Sequence, residues 1–222
     1  MYNKICEMLI LGGAEAVGCS YWEDTPFSGL NYAISFCVRL SDAIIDTISE
    51  EGPSKTYFHH YRTVNALLDS LSLSVIIRLQ REGYNAANIP ASQSVEGYRG
   101  LFSHKAGAVK AGLGWIGKNA MFISREMGPR VRLATVFTDL VLPVAEHEYK
   151  DGCGSCTVCR DKCPSGAIAG VSWRSDLSYS DFFDPELCST YMKDKFKNIG
   201  RGAVCGICMR FCPYGMRKNN NG

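Results

Sequence analysis

No stretch of this 222-residue chain approaches the run of about 18 apolar residues that a membrane helix requires. The N-terminal segment MYNKICEMLILGGAEAVGCS has only a short apolar stretch, carries Glu7 and Glu15, and offers no processing site. It therefore does not read as a signal peptide, and a cytoplasmic location is expected. Excess charge is also scarce. A formal net charge of +2 argues against a strong general attraction to nucleic acid. No Walker A loop occurs, and the one G-x-G-x-x-G spacing, Gly112 to Gly117, follows a helix-like stretch, whereas the dinucleotide fingerprint should follow a strand. Composition is otherwise that of a globular protein with a core, at 46% hydrophobic and 21% charged residues. What stands out is cysteine, with 11 residues.

Eight of those cysteines lie in the last third of the chain, in two spaced runs. The first is Cys153-Gly-Ser-Cys156-Thr-Val-Cys159-Arg-Asp-Lys-Cys163-Pro164. The second is Cys205-Gly-Ile-Cys208-Met-Arg-Phe-Cys212-Pro213, with Cys188 upstream at a longer gap. A C-x2-C-x2-C-x3-C-P run lets three thiolates converge on one [4Fe–4S] cube, while the fourth points to a second cube. The spacing assigns Cys153, Cys156, Cys159 and Cys212 to one cluster and Cys163, Cys188, Cys205 and Cys208 to the other. Structural zinc predicts C-x2-C pairs that each close a tetrahedral site, not this run. Disulfides are disfavoured by compartment and spacing. Pro164 and Pro213 suit a chain turning away from a cluster, and Gly154 and Gly206 permit close backbone approach. Residues 151–222 hold ten Lys/Arg against seven Asp/Glu, an excess that reads as compensation for metal–thiolate charge. Cys6, Cys19 and Cys37 lie singly in apolar stretches and read as buried free thiols.

Residues 1–150 read as a mixed α/β domain and residues 151–222 as a double-cluster domain. Residues 4–11 look helical, and residues 14–20 and 32–40 look like strands. Ser41 is a candidate N-cap for a helix through Ile44, Ile45 and Ile48. After Gly52-Pro53, Ser54 starts a long helix whose stripe is Tyr57, Tyr61, Val64, Leu68, Leu71 and Val75, ending near Gly83. Residues 84–100 read as a loop, a place where site residues often lie. A helix over residues 104–111 leads into Gly112-Leu113-Gly114-Trp115-Ile116-Gly117-Lys118-Asn119, and strands follow at 121–124 and 131–138.

This glycine segment, together with His104-Lys105, Ser124-Arg125-Glu126-Met127-Gly128, the stretch from Arg132 to Asp139 and both cysteine motifs in the same order, resembles the core of epoxyqueuosine reductases. A fainter likeness lies at Gly13-Ala14-Glu15-Ala16-Val17-Gly18. The resemblance implies kinship with reductive dehalogenases. It also implies an α+β fold, with a nitroreductase-like cobalamin-binding domain followed by a small bacterial-ferredoxin-like 2[4Fe–4S] domain. Cobalamin is the implied third cofactor, and His104, Lys105, Gly112, Leu113, Gly114, Trp115, Ile116, Gly117, Lys118 and Asn119 are its implied contacts. Cobalt in these families lacks a protein imidazole ligand, and this chain has no D-x-H-x-x-G motif. Trp115 has two open roles, packing on the corrin or filling the core. Lys105 and Lys118 either meet the nucleotide tail or are solvated.

Two departures from the family are visible. Its chains continue past the second cysteine motif with a tRNA-binding region, whereas this sequence ends at Gly222, so tRNA is not an expected partner and genuine epoxyqueuosine reduction is not expected. The family's proton-donating Asp is also missing, and an ungapped count back from Ala111 puts Tyr98 there, beside Arg99. Tyr98 and Glu96 are the candidate acids, with an ordinary loop tyrosine as the alternative for Tyr98. The expected function is a redox protein that passes electrons through two clusters to corrinoid cobalt for reductive chemistry on a small molecule. The alternative is a non-catalytic carrier that serves a protein partner. Expected partners are a low-potential donor such as a ferredoxin or flavodoxin, a corrinoid protein for the carrier reading, and no membrane. Exposed clusters of this kind fit an anaerobic host.

Overall fold

The computed structural model describes residues 1–93, 97–98, 100–146, 149–174, 176–202 and 204–216. Helix α1 (Tyr2–Leu11) leads into strands β1 (Ala16–Tyr21) and β2 (Tyr32–Arg39). Helices α2 (Asp42–Ile45) and α3 (Lys55–Arg81), then strand β3 (Ala86–Ile89) and helix α4 (His104–Lys110), follow. Strands β4 (Gly114–Ile116), β5 (Phe122–Ser124) and β6 (Val131–Thr138) come next. The cysteine-rich end carries α5 (Val158–Asp161), α6 (Tyr179–Phe182), α7 (Pro185–Lys195) and α8 (Ile207–Arg210), with 3-10 turns at Gly200–Gly202 and Pro213–Gly215. No helix among the described residues is long and apolar enough to cross a membrane.

Contacts divide the chain into two units. The first comprises Met1–Arg39, Tyr61–Trp115 and Val131–Lys150; the second comprises Leu40–His60, Ile116–Arg130 and Asp151–Gly222. The units therefore interleave along the chain rather than meeting once at residue 150.

The first unit is built on an antiparallel sheet of order β1-β2-β6-β3. The central strands β2 and β6 are buried on both faces along most of their length, so their sequences run apolar without clean alternation. The inner stripe of α3 is buried at Val64, Leu68, Leu71 and Val75, as its three- and four-residue spacing predicts. Gly18 of β1 lies so close to helix α4's end that a Cβ there would stand 2.4 Å from the Ala111 carbonyl oxygen.

Three local expectations are corrected. Residues 86–89, read as loop, form β3 and pair with β6 from Ala86↔Thr138 to Ile89↔Thr135. This edge strand buries only Ile89, so its sequence has no apolar alternation to betray it. The second is the helix after Ser41, which stops at Ile45. The Thr47 hydroxyl donates to the Ile44 carbonyl at 2.6 Å and competes with continued helix. Ser41 occupies the N-cap position with no side-chain cap bond. The third lies within the glycine segment, where residues 114–116 form β4, paired with β5.

Candidate metal centre

Four short devices present the cysteines. Asp151 Oδ1 accepts from the Cys153 amide at 2.8 Å, fixing the start of the first loop. Cys159 lies on the buried side of α5, and Cys163 follows that helix, its amide donating to the Arg160 carbonyl at 3.1 Å. Gly206 takes φ +82° as the N-cap of α8, a left-handed turn between Cys205 and Cys208 that a side chain would strain. Cys212 is extended at ψ 123° before Pro213, the conformation a pre-proline residue prefers. Cys188 comes from α7, which begins with Pro185 and is capped by Asp184 Oδ1 accepting from Leu187 N at 2.9 Å. A helix carrying this one cysteine accounts for its long gap from Cys205.

The thiols fall into two groups. Cys153, Cys156, Cys159 and Cys212 line one small cavity with Lys118, Ile123 and Tyr214. Burial first, then Cys153, Cys212 and Cys156, push the Cys159 thiol up to about 11. Burial, then Cys205 and Cys163, push Cys188 up to about 11. Cys208 is raised well above the ordinary value by burial, then by Cys205, Cys188 and Cys163, with Cys159 last. Mutual influence thus pairs Cys212 with the first run and Cys163 with the second. Buried thiolates that repel one another need a compensating cationic core, which an iron–sulfur cube supplies. Among the described residues, no three Cys, His, Asp or Glu converge as a single metal ion would need. Two sets of four thiols match the eight thiolates that two cubes require.

Within the second unit, side chains of the glycine segment hold the cysteine loops. Lys118 is 7% exposed, and its ammonium donates to the carbonyls of Gly154 at 2.7 Å and Cys156 at 3.1 Å. Asn119 Nδ2 donates to the Cys208 carbonyl at 3.4 Å, while its Oδ1 accepts from Met121 N at 3.2 Å. These two residues grip the two cysteine motifs, and the burial of Lys118 removes its solvated alternative. Trp115 and Ile116 are both buried. Gly112 turns at φ +71° after α4, and the Leu113 amide donates to the Ala108 carbonyl at 3.0 Å.

His104 is held by two hydrogen bonds within the first unit. Its Nε2 donates to the Pro90 carbonyl at 3.1 Å, which leaves Nδ1 to accept from the Thr135 hydroxyl at 3.0 Å. Burial, with Arg132 adding to it, holds the imidazole below its ordinary value against the opposing Pro90 carbonyl and Asp69. A neutral ring with both nitrogens engaged is a cross-link within the first unit. Lys105 is half-buried on the first turn of α4. Tyr98 sits in a turn at φ +63° and is 51% exposed. Glu96 and Arg99 lie outside the described residues.

One polar group escaped the sequence reading. The Arg132 guanidinium lies 4.4 Å from the centre of the Tyr61 ring and donates to Tyr61 Oη at 3.4 Å, Asn65 Oδ1 at 2.8 Å and the Ala91 carbonyl at 3.2 Å. Ser92 Oγ stands 3.2 Å from Tyr61 Oη. Burial raises the Tyr61 hydroxyl, but Arg132, Ser92 and Asn65 together bring it below the ordinary tyrosine value. Helical spacing had counted Tyr61 as an apolar stripe position, and nothing local distinguishes it.

Residues 152–215 match the family described as 4Fe-4S double cluster binding domain. The epoxyqueuosine reductase of Leadbetterella byssophila is 36% identical over 120 residues, covering 50% of this chain and 36% of that protein. The Synechocystis epoxyqueuosine reductase is 34% identical over 122 residues, covering 53% and 41%. The matched segments thus span well under half of these relatives. In structure, the Bacillus subtilis epoxyqueuosine reductase aligns over 98% of this chain and 66% of its own, with a TM-score of 0.63 at 19% identity. The catabolic reductive dehalogenase NpRdhA in complex with 3-bromo-4-hydroxybenzoic acid aligns over 95% and 31%, with a TM-score of 0.71 at 20% identity. The chain is therefore similar in sequence to epoxyqueuosine reductases over half its length, carries the double-cluster domain in its last third, and shares a fold found in both epoxyqueuosine reductases and a reductive dehalogenase.

Proposed function

We propose that this chain is a cobalamin-binding iron–sulfur redox protein that passes electrons through two [4Fe–4S] clusters to a corrinoid cobalt for reductive chemistry on a small molecule. The observation that carries the reading is the gathering of eight cysteines into two groups of four. Cys153, Cys156, Cys159 and Cys212 hold one cube, and Cys163, Cys188, Cys205 and Cys208 the other. The corrin part rests on the fold shared with a reductive dehalogenase whose structure is described as suggesting a mechanism for B12-dependent dehalogenation. On that basis the first unit is read as the nitroreductase-like corrin domain. His104, Lys105 and the segment from Gly112 to Asn119 are the proposed corrin contacts, and its glycines leave backbone amides and carbonyls accessible to the ring. A bound corrin supplies the metal that performs the difficult bond chemistry.

The chain's own tasks are to deliver electrons, seat the ring and move a proton. Tyr98 is the proposed proton donor, on its position in the 84–100 segment. Tyr61 is the second candidate, because Arg132 sits on its ring and its hydroxyl ionises more readily than an ordinary tyrosine. The electron source is a low-potential donor of the ferredoxin or flavodoxin kind. One epoxyqueuosine reductase structure contains an epoxyqueuosine-modified tRNA stem loop, and the same ligand serves here as a control for the different partner.

The test is anaerobic reconstitution of the full chain with iron, sulfide and cobalamin, followed by desalting and metal analysis. About eight iron atoms and one cobalt per chain are expected. Zinc in place of iron, or loss of all corrin, sinks the reading; tight binding of the tRNA stem loop without small-molecule reduction replaces it. Tyr98→Phe and Tyr61→Phe then separate the two candidate acids by reductive turnover.

A further inference from the structure

Lysine is among the residues least often buried, because its ammonium is costly to strip of water. Lys118 nevertheless lies almost wholly inside the second unit. Its partners at 2.7 and 3.1 Å are the carbonyls of Gly154 and Cys156, both in the loop bearing the first cysteine run. It also lines the cavity shared by Cys153, Cys156, Cys159 and Cys212. Carbonyl dipoles orient this charge without neutralising it.

Cations near the other cysteines are placed differently. Lys162, next to Cys163, pairs with Glu50, and both are well exposed. Arg210, between Cys208 and Cys212, has its Nε 3.3 Å from Asp46 Oδ1. On the helix carrying Cys188, the Asp184 carboxylate stands at the N-cap. Among the described residues, the buried Lys118 has no carboxylate partner, whereas Lys162 and Arg210 each face one; the carboxylates beside the first run, Asp151 and Asp161, are exposed to solvent. Fields act strongly in such a low-dielectric setting, and cluster potentials respond to local charge and hydrogen bonding.

We propose that Lys118 sets the reduction potential of the cluster held by Cys153, Cys156, Cys159 and Cys212 above that of its neighbour, giving electrons a fixed order of residence. This inference rests on the two-cluster reading above. The couple involved is one electron added to an oxidised cube, with no bond made or broken and no proton moved. The reductant in the test is dithionite.

The experiment is a mediated redox titration of the reconstituted full chain, followed by electron paramagnetic resonance, on wild type, Lys118→Gln and Lys118→Met. Gln keeps an N–H donor for the loop carbonyls but removes the charge. The higher-potential of the two one-electron waves should fall in both variants by at least tenfold in its reduction equilibrium, about 59 mV for a one-electron couple, while the lower stays in place; a fall confined to the lower wave overturns the proposal. Lys118→Arg should restore most of the shift. Two retained cubes with neither wave moved, or with both moved equally, overturn the proposal. Loss of one cube's iron in both Gln and Met also overturns it, leaving Lys118 as a loop staple only. A wild-type protein that fails to hold two cubes refutes instead the reading on which the proposal rests.

Discussion

Asp42 and Arg130, 88 residues apart in sequence, form an ion pair at 3.0 Å in which the side chains are 5% and 3% exposed. The same guanidinium reaches Asp46 at 2.9 Å and the Arg210 carbonyl at 3.5 Å, tying α2 to the end of α8. Removing Arg130 breaks a buried ion pair by deleting one partner, a change that costs roughly 3–5 kcal/mol. Arg130→Met should therefore lower stability by that order in denaturant unfolding, and Arg130→Met with Asp42→Leu should recover much of the loss. A single variant as stable as wild type defeats this account.

The crossed ligand assignment predicts which cysteine substitutions behave alike. Cys153→Ala and Cys212→Ala should leave the same residual cluster spectrum. Cys163→Ala and Cys188→Ala should leave the other, each variant keeping about half the iron. If the residual spectrum of Cys163→Ala matches that of Cys153→Ala, the crossing is wrong.

Gly206 should tolerate no side chain. Its φ of +82° alone costs an L-residue about 1–2 kcal/mol. An added Cβ would also meet Ile48 Cδ1 at 2.7 Å and Tyr57 Cε1 at 3.0 Å. Gly206→Ala is expected to reduce stability by more than the φ term and to impair iron uptake by the second motif. Full iron content with an unchanged unfolding midpoint would falsify it.

His104 predicts a pH signature. Its folded-state pKa is lowered, chiefly by burial, so the unfolded chain takes up the proton first as pH falls. Stability from the neutral ring is complete above the unfolded value of about 6.5 and declines as pH falls from there toward the lower folded-state value. Wild type should lose more stability than His104→Gln between about pH 7.5 and 5.5. Parallel losses in the two proteins remove His104 from this role.

Several parts of this molecule are legible in the sequence because their signals are local. Eight cysteines announce themselves by spacing, and the α3 stripe from Val64 to Val75 by period. Strand β3 is hidden because Ala86, Ala87 and Asn88 bury little, and pairing with β6 supplies its order. Lys118 and Asn119 could be noticed but not interpreted. Their partners are backbone carbonyls 36, 38 and 89 residues away, and a carbonyl leaves no mark in composition. Tyr61 was placed on the correct helix, yet its link to Arg132 across 71 residues depends on the sheet's register.

The exchange of Cys163 and Cys212 between the two thiol groups has a consequence for biogenesis. Neither group is complete until the ribosome has passed the second motif: one waits for Cys208 and the other for Cys212. With the ligand sets proposed above, iron loading would wait for a late stage of synthesis, and a nick between the motifs would loosen both inorganic centres at once.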